Sequence, residues 1–120
     1  MATNRKPTLG QAIKTLRIRH PMTQKELANR ILRPDGKAIS AQYLNDIEHD
    51  RRTPDSDHLI QQLAEALGTD AALLTFIAGT LPPEIRDLPL DEETFRRALA
   101  AFLREAKSGP ASAEDVASAG

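Results

Sequence analysis

Cysteine and tryptophan are both missing from the 120 residues, and aromatic side chains amount to one tyrosine and three phenylalanines. Without cysteine there is no disulfide and no thiolate metal site. His20, His49 and His58 are not spaced i,i+4 and lie in no HExxH-like pattern, so the sequence predicts no metal and no cofactor. So few rings, most of them needed for a core, leave little to stack the bases of single-stranded RNA. No run of about 18 apolar residues exists to span a membrane. The polar opening Met1-Ala2-Thr3-Asn4-Arg5-Lys6-Pro7 is followed by no apolar run of signal-peptide length. A cytoplasmic protein away from membranes is the expectation. Phosphate-loop chemistry is missing too. Around Pro34-Asp35-Gly36-Lys37, Ile31 stands where the pattern needs its first glycine and Ala38 where it needs Ser or Thr. Acidic residues are plentiful, yet no nucleophile–base pair or metal cluster organises them, and an enzyme is not expected.

What is present is an uneven charge distribution. The formal net charge is −1, but residues 1–53 carry 11 Lys/Arg against 5 Asp/Glu, while residues 54–120 carry 5 against 12. A basic half joined to an acidic half suggests one face that meets a polyanion and one kept away from it.

Apolar spacing is helical throughout, and no alternating segment of useful length suggests a sheet. Thr8 caps a first helix to about Arg19, with Leu9, Ala12, Ile13 and Leu16 as one stripe, and His20-Pro21 ends it. Thr23 and Glu26 form a capping box for a second helix whose inner face is Leu27, Ala28 and Ile31. Arg33-Pro34-Asp35-Gly36 is a turn. Ser40 caps a third helix over 41–49, with Leu44 and Ile47 inward and Tyr43 beside them. Pro54-Asp55-Ser56 opens a fourth with the stripe Leu59, Ile60, Leu63, Ala64, Leu67, closed by Gly68. Thr69-Asp70 starts a short fifth carrying Leu73, Leu74, Phe76 and Ile77, stopped by Gly79. Leu81-Pro82-Pro83 reads as a boundary. Residues 91–107 form one more amphipathic helix, and 108–120 are small, polar and expected to be disordered.

The ordered set Leu9-Gly10-x-x-Ile13-x-x-Leu16-Arg17, Thr23-Gln24-x-Glu26-Leu27-Ala28, Ile39-Ser40-x-x-Tyr43-Leu44-x-x-Ile47-Glu48, Pro54, Leu59, Leu63-Ala64 and Ala66-Leu67 resembles the Cro/lambda-repressor-like, or XRE-type, helix-turn-helix family over roughly residues 8–78. The resemblance implies an all-α, five-helix DNA-binding domain (8–79); around it the residues themselves read as a basic N-terminal arm (1–7), a linker and C-terminal amphipathic helix (80–107) and a tail (108–120). It implies double-stranded DNA as partner, with the helix after Ser40 in the major groove.

A recognition helix needs an apolar back and a polar front. Leu44 and Ile47 supply the back; Ala41, Gln42, Asn45, Asp46 and His49 supply the front and are the expected base contacts. Gln42 and Asn45 suit an adenine edge and Ala41 a thymine methyl, while Asp46 either accepts from cytosine or orients neighbouring Arg and Gln side chains. Thr23, Gln24, Ser40, Tyr43, Arg33, Lys37, Arg51 and Arg52 are the expected phosphate contacts. For Gln24 the resemblance implies a residue that touches phosphate and braces a recognition-helix side chain, at a helix N-terminus that favours an anion. It also implies that Glu48 pairs with Arg17 in a structural role. The chain departs from the family pattern twice. Residues 32–38 lengthen a link that is a tight turn in related sequences, placing Arg33 and Lys37 on a projecting loop within reach of the backbone or minor groove. Asp50 stands where glycine is common, and Asp tolerates the left-handed conformation.

One such module reads about one half-site, and Phe95, Leu99, Phe102 and Leu103 of the last helix form an apolar face for a homodimer. Folding back on the fifth helix and binding another protein stay open as alternatives. The expected function is a sequence-specific repressor on an inverted repeat. The competing reading is an antitoxin that neutralises a toxin through its C-terminal segment and represses its own operon.

Overall fold

The computed structural model describes residues 6–119, with side chains up to Gly109. It is all-α: α1 (Leu9–Arg19), α2 (Gln24–Arg30), α3 (Ala41–Glu48), α4 (Asp57–Leu67), α5 (Ala71–Ile77), α6 (Pro83–Arg86) and α7 (Glu92–Ala119). The only β feature among the described residues is an isolated antiparallel bridge between Leu32 and Ala38. Two compact units divide the chain, one ending at Arg86 and one starting at Asp87.

Local chemistry accounts for where the first five helices begin. Thr8 and Thr23 each accept from the backbone N–H three residues on, while Gln11 and Glu26 reach back to the cap N–H, so α1 and α2 both start with a complete capping box. Ser40, Ser56 and Asp70 cap α3, α4 and α5 in the same sense. Gly68 closes α4 in the left-handed conformation, φ 67°.

The helices bury one core. Ile13 of α1, Leu27 of α2, Leu44 and Ile47 of α3, Leu59, Leu63 and Leu67 of α4 and Leu74 of α5 are all essentially inaccessible, together with Ile31 just after α2. Burying each such side chain is worth about 1.5–3 kcal/mol relative to leaving it in water. α3 packs on both α1 and α2, and α4 packs on α1, α2 and α5. The third helix is therefore held from two sides with one face left outward.

Two expectations change. The first unit does not stop at Gly79: Pro82 is buried, α6 adds a turn of helix, and Arg86 Nη2 donates to Asp57 Oδ2 at 2.8 Å, so the boundary falls after Arg86 rather than in the proline pair. The last helix runs past its expected end at 107. Helical backbone continues to Ala119, across Gly109 and Pro110; Gly120 lies outside the described residues. Within the second unit Asp91 caps α7, Thr94 N donating to its Oδ1 at 2.7 Å, and the backbone and then the side chain of Thr94 hold that carboxyl below its ordinary pKa. Of the basic arm, residues 1–5 lie outside the described residues. Lys6 Nζ sits 5.0 Å over the Phe76 ring and donates to Phe76 O at 3.4 Å. No described helix is long and apolar enough to cross a membrane.

Candidate nucleic-acid interface

α3 has two faces. Tyr43, Leu44, Ile47 and Glu48 are buried, whereas Ala41, Gln42 and His49 are exposed and Asn45 and Asp46 are half-exposed. The five front residues predicted from the sequence thus share one outward surface.

Behind that surface runs a polar chain rooted in a buried charge. Glu48, with a fully covered side chain, takes two bonds from Arg17: Nε to Oε2 at 2.6 Å and Nη2 to Oε1 at 3.1 Å. Such a fork is the strong form of the Arg–carboxylate pair. Arg17 Nη1 also donates to Met22 O at 2.8 Å, which ties α1 to the approach to α2. Gln24 Nε2 donates to Glu48 Oε1 at 2.9 Å, Asn45 Nδ2 donates to Gln24 Oε1 at 3.3 Å, and Arg51 Nη1 donates to Asn45 Oδ1 at 3.3 Å. A carboxylate only accepts. Gln24 must therefore turn its NH2 toward Glu48 and its carbonyl toward Asn45. The Arg17–Glu48 pair and the bracing of a recognition-helix side chain by Gln24, both implied by resemblance, are present in this geometry.

Asp46 gathers the rest of the front. Its Oδ1 accepts from Gln42 Nε2 at 3.1 Å and from Arg51 Nη1 at 3.3 Å, and its Oδ2 lies 3.9 Å from Arg52 Nε. Asp46 therefore orients neighbouring Gln and Arg side chains, one of the two roles open to it. His49 Nδ1 donates to Asn45 O at 2.8 Å, which leaves Nε2 as its outward atom.

Among the expected phosphate contacts, Thr23 and Ser40 spend oxygen lone pairs on their helix caps, so each hydroxyl proton remains free to donate. Tyr43, expected beside the inward residues and as a phosphate contact, is only 8% exposed and part of the core. Its ring is a platform: the Arg33 guanidinium stands 5.1 Å from its centroid and that of Arg52 5.6 Å. Lys37 is exposed. Arg51 and Arg52 keep side chains more than half exposed despite their proximity to Asp46.

The sequence reading missed what Asp50 does. It takes the left-handed conformation, φ 60°, as its position requires. Its carboxylate also reaches back to α1, accepting from Thr8 Oγ1 at 2.7 Å and from Gly10 N at 3.1 Å. A glycine could make the turn but not these bonds, which fasten the end of α3 to the start of the domain. Nothing local in the sequence signals a partner forty residues away.

On α7, Phe95, Leu99, Phe102 and Leu103 recur at helical spacing and are each 43–52% exposed, while Arg96 pairs with Glu92 at 2.6 Å.

A family model described as Helix-turn-helix matches residues 13–74, the stretch from the middle of α1 into α5 that contains the whole of α3. No curated protein and no solved structure matches the chain.

Proposed function

The chain belongs to the XRE/lambda-repressor-like helix-turn-helix family of DNA-binding transcription regulators, and on that footing we propose that it is a cytoplasmic repressor that reads an inverted repeat in double-stranded DNA as a homodimer. The observation that supports this best is α3 itself: a buried back, an outward front of Ala41, Gln42, Asn45, Asp46 and His49, and cations on its flanks. Base edges specify and phosphates position. Gln42 and Asn45 carry the amide groups suited to an adenine edge. Thr23, Gln24, Ser40, Arg51 and Arg52 supply donors and charge for the backbone.

Selection of bound duplexes from a random pool at a stated salt concentration tests the reading, and an inverted repeat is the expected product. Gln42→Ala should then relax preference at one base pair by about 1–3 kcal/mol if its contact is bidentate. Arg52→Ala should instead weaken every duplex alike and reduce the salt slope by about 0.9, the share of one phosphate contact. Variants that both bind like the parent would move the docking face away from α3.

Half-sites one helical turn apart call for two copies, and the apolar stripe of α7 is the surface we assign to that pairing. Phe95→Asp with Leu99→Asp should convert a dimer into a monomer in size-exclusion chromatography with light scattering, and weaken binding to the full repeat far more than to a half-site. A parent chain that is monomeric yet co-purifies with a small toxic protein would favour the antitoxin reading instead.

A further inference from the structure

The segment between α2 and α3 is a built object. Ile31 and Ile39 are buried at its base, where Ile39 N donates to Ile31 O at 3.0 Å. Leu32 bridges Ala38, and Arg33 N donates to Lys37 O at 2.8 Å. At the tip Gly36 N donates to Arg33 O at 2.8 Å, with Pro34 leading the turn and Gly36 at φ 88°. A turn of this kind followed by a left-handed glycine is the standard three-residue hairpin connection. Asp35 Oδ1 is already engaged, accepting from Lys37 N at 2.9 Å.

A two-stranded hairpin alone is marginal in water; this one is fastened from the side. Gln62 Oε1 of α4 accepts from Leu32 N at 3.1 Å, and His58 Nε2 donates to Leu32 O at 2.8 Å. Arg33 is laid over the Tyr43 ring, which places it on the same platform as Arg52. The finger is thereby indexed to the recognition helix.

Resting on the DNA-binding reading above, we propose that residues 31–39 form a basic finger that grips the sugar-phosphate backbone beside the base pairs read by α3, so that the protein's footprint extends past its half-site. Recognition helices meet base edges with their N-terminal residues. The finger runs directly into Ser40, the cap of that end, so docking α3 carries the finger to the duplex. Its chemistry suits phosphate and not bases. The tip Pro34-Asp35-Gly36 offers no side-chain amide or guanidinium to a base edge, and Asp35 Oδ1 is turned to Lys37 N. A guanidinium held in one plane by an aromatic ring presents its fork of donors to an oxyanion, and exposed Lys37 adds a second charge. Backbone contacts of this sort fix register without carrying sequence information.

Hydroxyl-radical footprinting and the salt dependence of affinity, both on the selected operator, test the finger. Arg33→Ala with Lys37→Ala should keep the selected consensus, lose one contiguous patch of protected backbone, and lower the salt slope by about 1.8, the share of two phosphate contacts. Lys37→Ala alone changes only an exposed side chain and should lower the slope by about 0.9. A double variant with the parent's slope and footprint overturns the proposal, and one whose consensus changes overturns it in favour of base reading by the finger. If the parent itself selects no duplex, the regulator reading fails and the finger with it.

Discussion

Glu48→Ala should cost about 3–5 kcal/mol of folding stability, the usual price of removing one member of a buried ion pair. Glu48 has no exposed side-chain surface, and Arg17 is only 12% exposed. Alanine would leave a guanidinium in the interior with Met22 O as its remaining acceptor, and Gln24 Nε2 without its partner. A domain of this size has about 5–15 kcal/mol in all, so the variant should lose a large share of its stability and unfold at a clearly lower denaturant concentration. Urea denaturation measures the loss. Replacing both Arg17 and Glu48 with aliphatic residues of similar volume should recover much of it, because the liability is the unpaired charge and not the absence of the pair. A Glu48→Ala protein within 1 kcal/mol of the parent would show that water reaches Arg17 without penalty.

Gly10→Ala should reverse a familiar sign. In the interior of an exposed helix this change gains about 1 kcal/mol, since alanine is the better helix former. At Gly10 an added methyl would stand 2.6 Å from Glu48 O and 2.7 Å from Asp50 Oδ1, with Ile47 O nearer still. Two of these three atoms are backbone of α3 and cannot swing aside. α1 and α3 must part, and the expected loss is about 3 kcal/mol, the upper end for an overpacked contact. The same substitution at Gly109, where nothing lies within 4 Å of the added methyl, should strengthen helix α7 as seen by circular dichroism. Thermal unfolding of the two variants tests the contrast, and equal shifts would contradict it.

What could be read from the residues was mostly what local chemistry decides. Thr8, Thr23, Ser40, Ser56 and Asp70 each cap the helix that follows by bonding two or three residues away, so the starts of α1 to α5 were visible in the order of amino acids. The same holds for the two faces of α3, because a period of 3.6 separates Leu44 and Ile47 from Gln42 and Asn45. Pairings across tens of residues were not visible from spacing alone. The Arg17–Glu48 fork came only through family resemblance, and the reach of Asp50 to Thr8 and Gly10 not at all. Pro34 and Gly36 announced a turn, but the pinning of Leu32 by His58 and Gln62 depends on where α4 lands. Tyr43 could be placed beside Leu44 and Ile47 by spacing, but the stacking of Arg33 and Arg52 on its ring depends on where the loop and the end of α3 land. Pro82 and Pro83 looked like a stop, whereas proline is also at home in the first turn of a helix such as α6.

The amides of Gln24 and Asn45 are compass needles, and the interior supplies the north. Because every donor along that file faces the sealed carboxylate, Asn45 comes to its surroundings already turned, its oxygen toward Arg51 and its nitrogen toward Gln24. The heading of a surface side chain is thus decided beneath it. A change deep in the protein can alter what the surface says without moving a single atom of its outline.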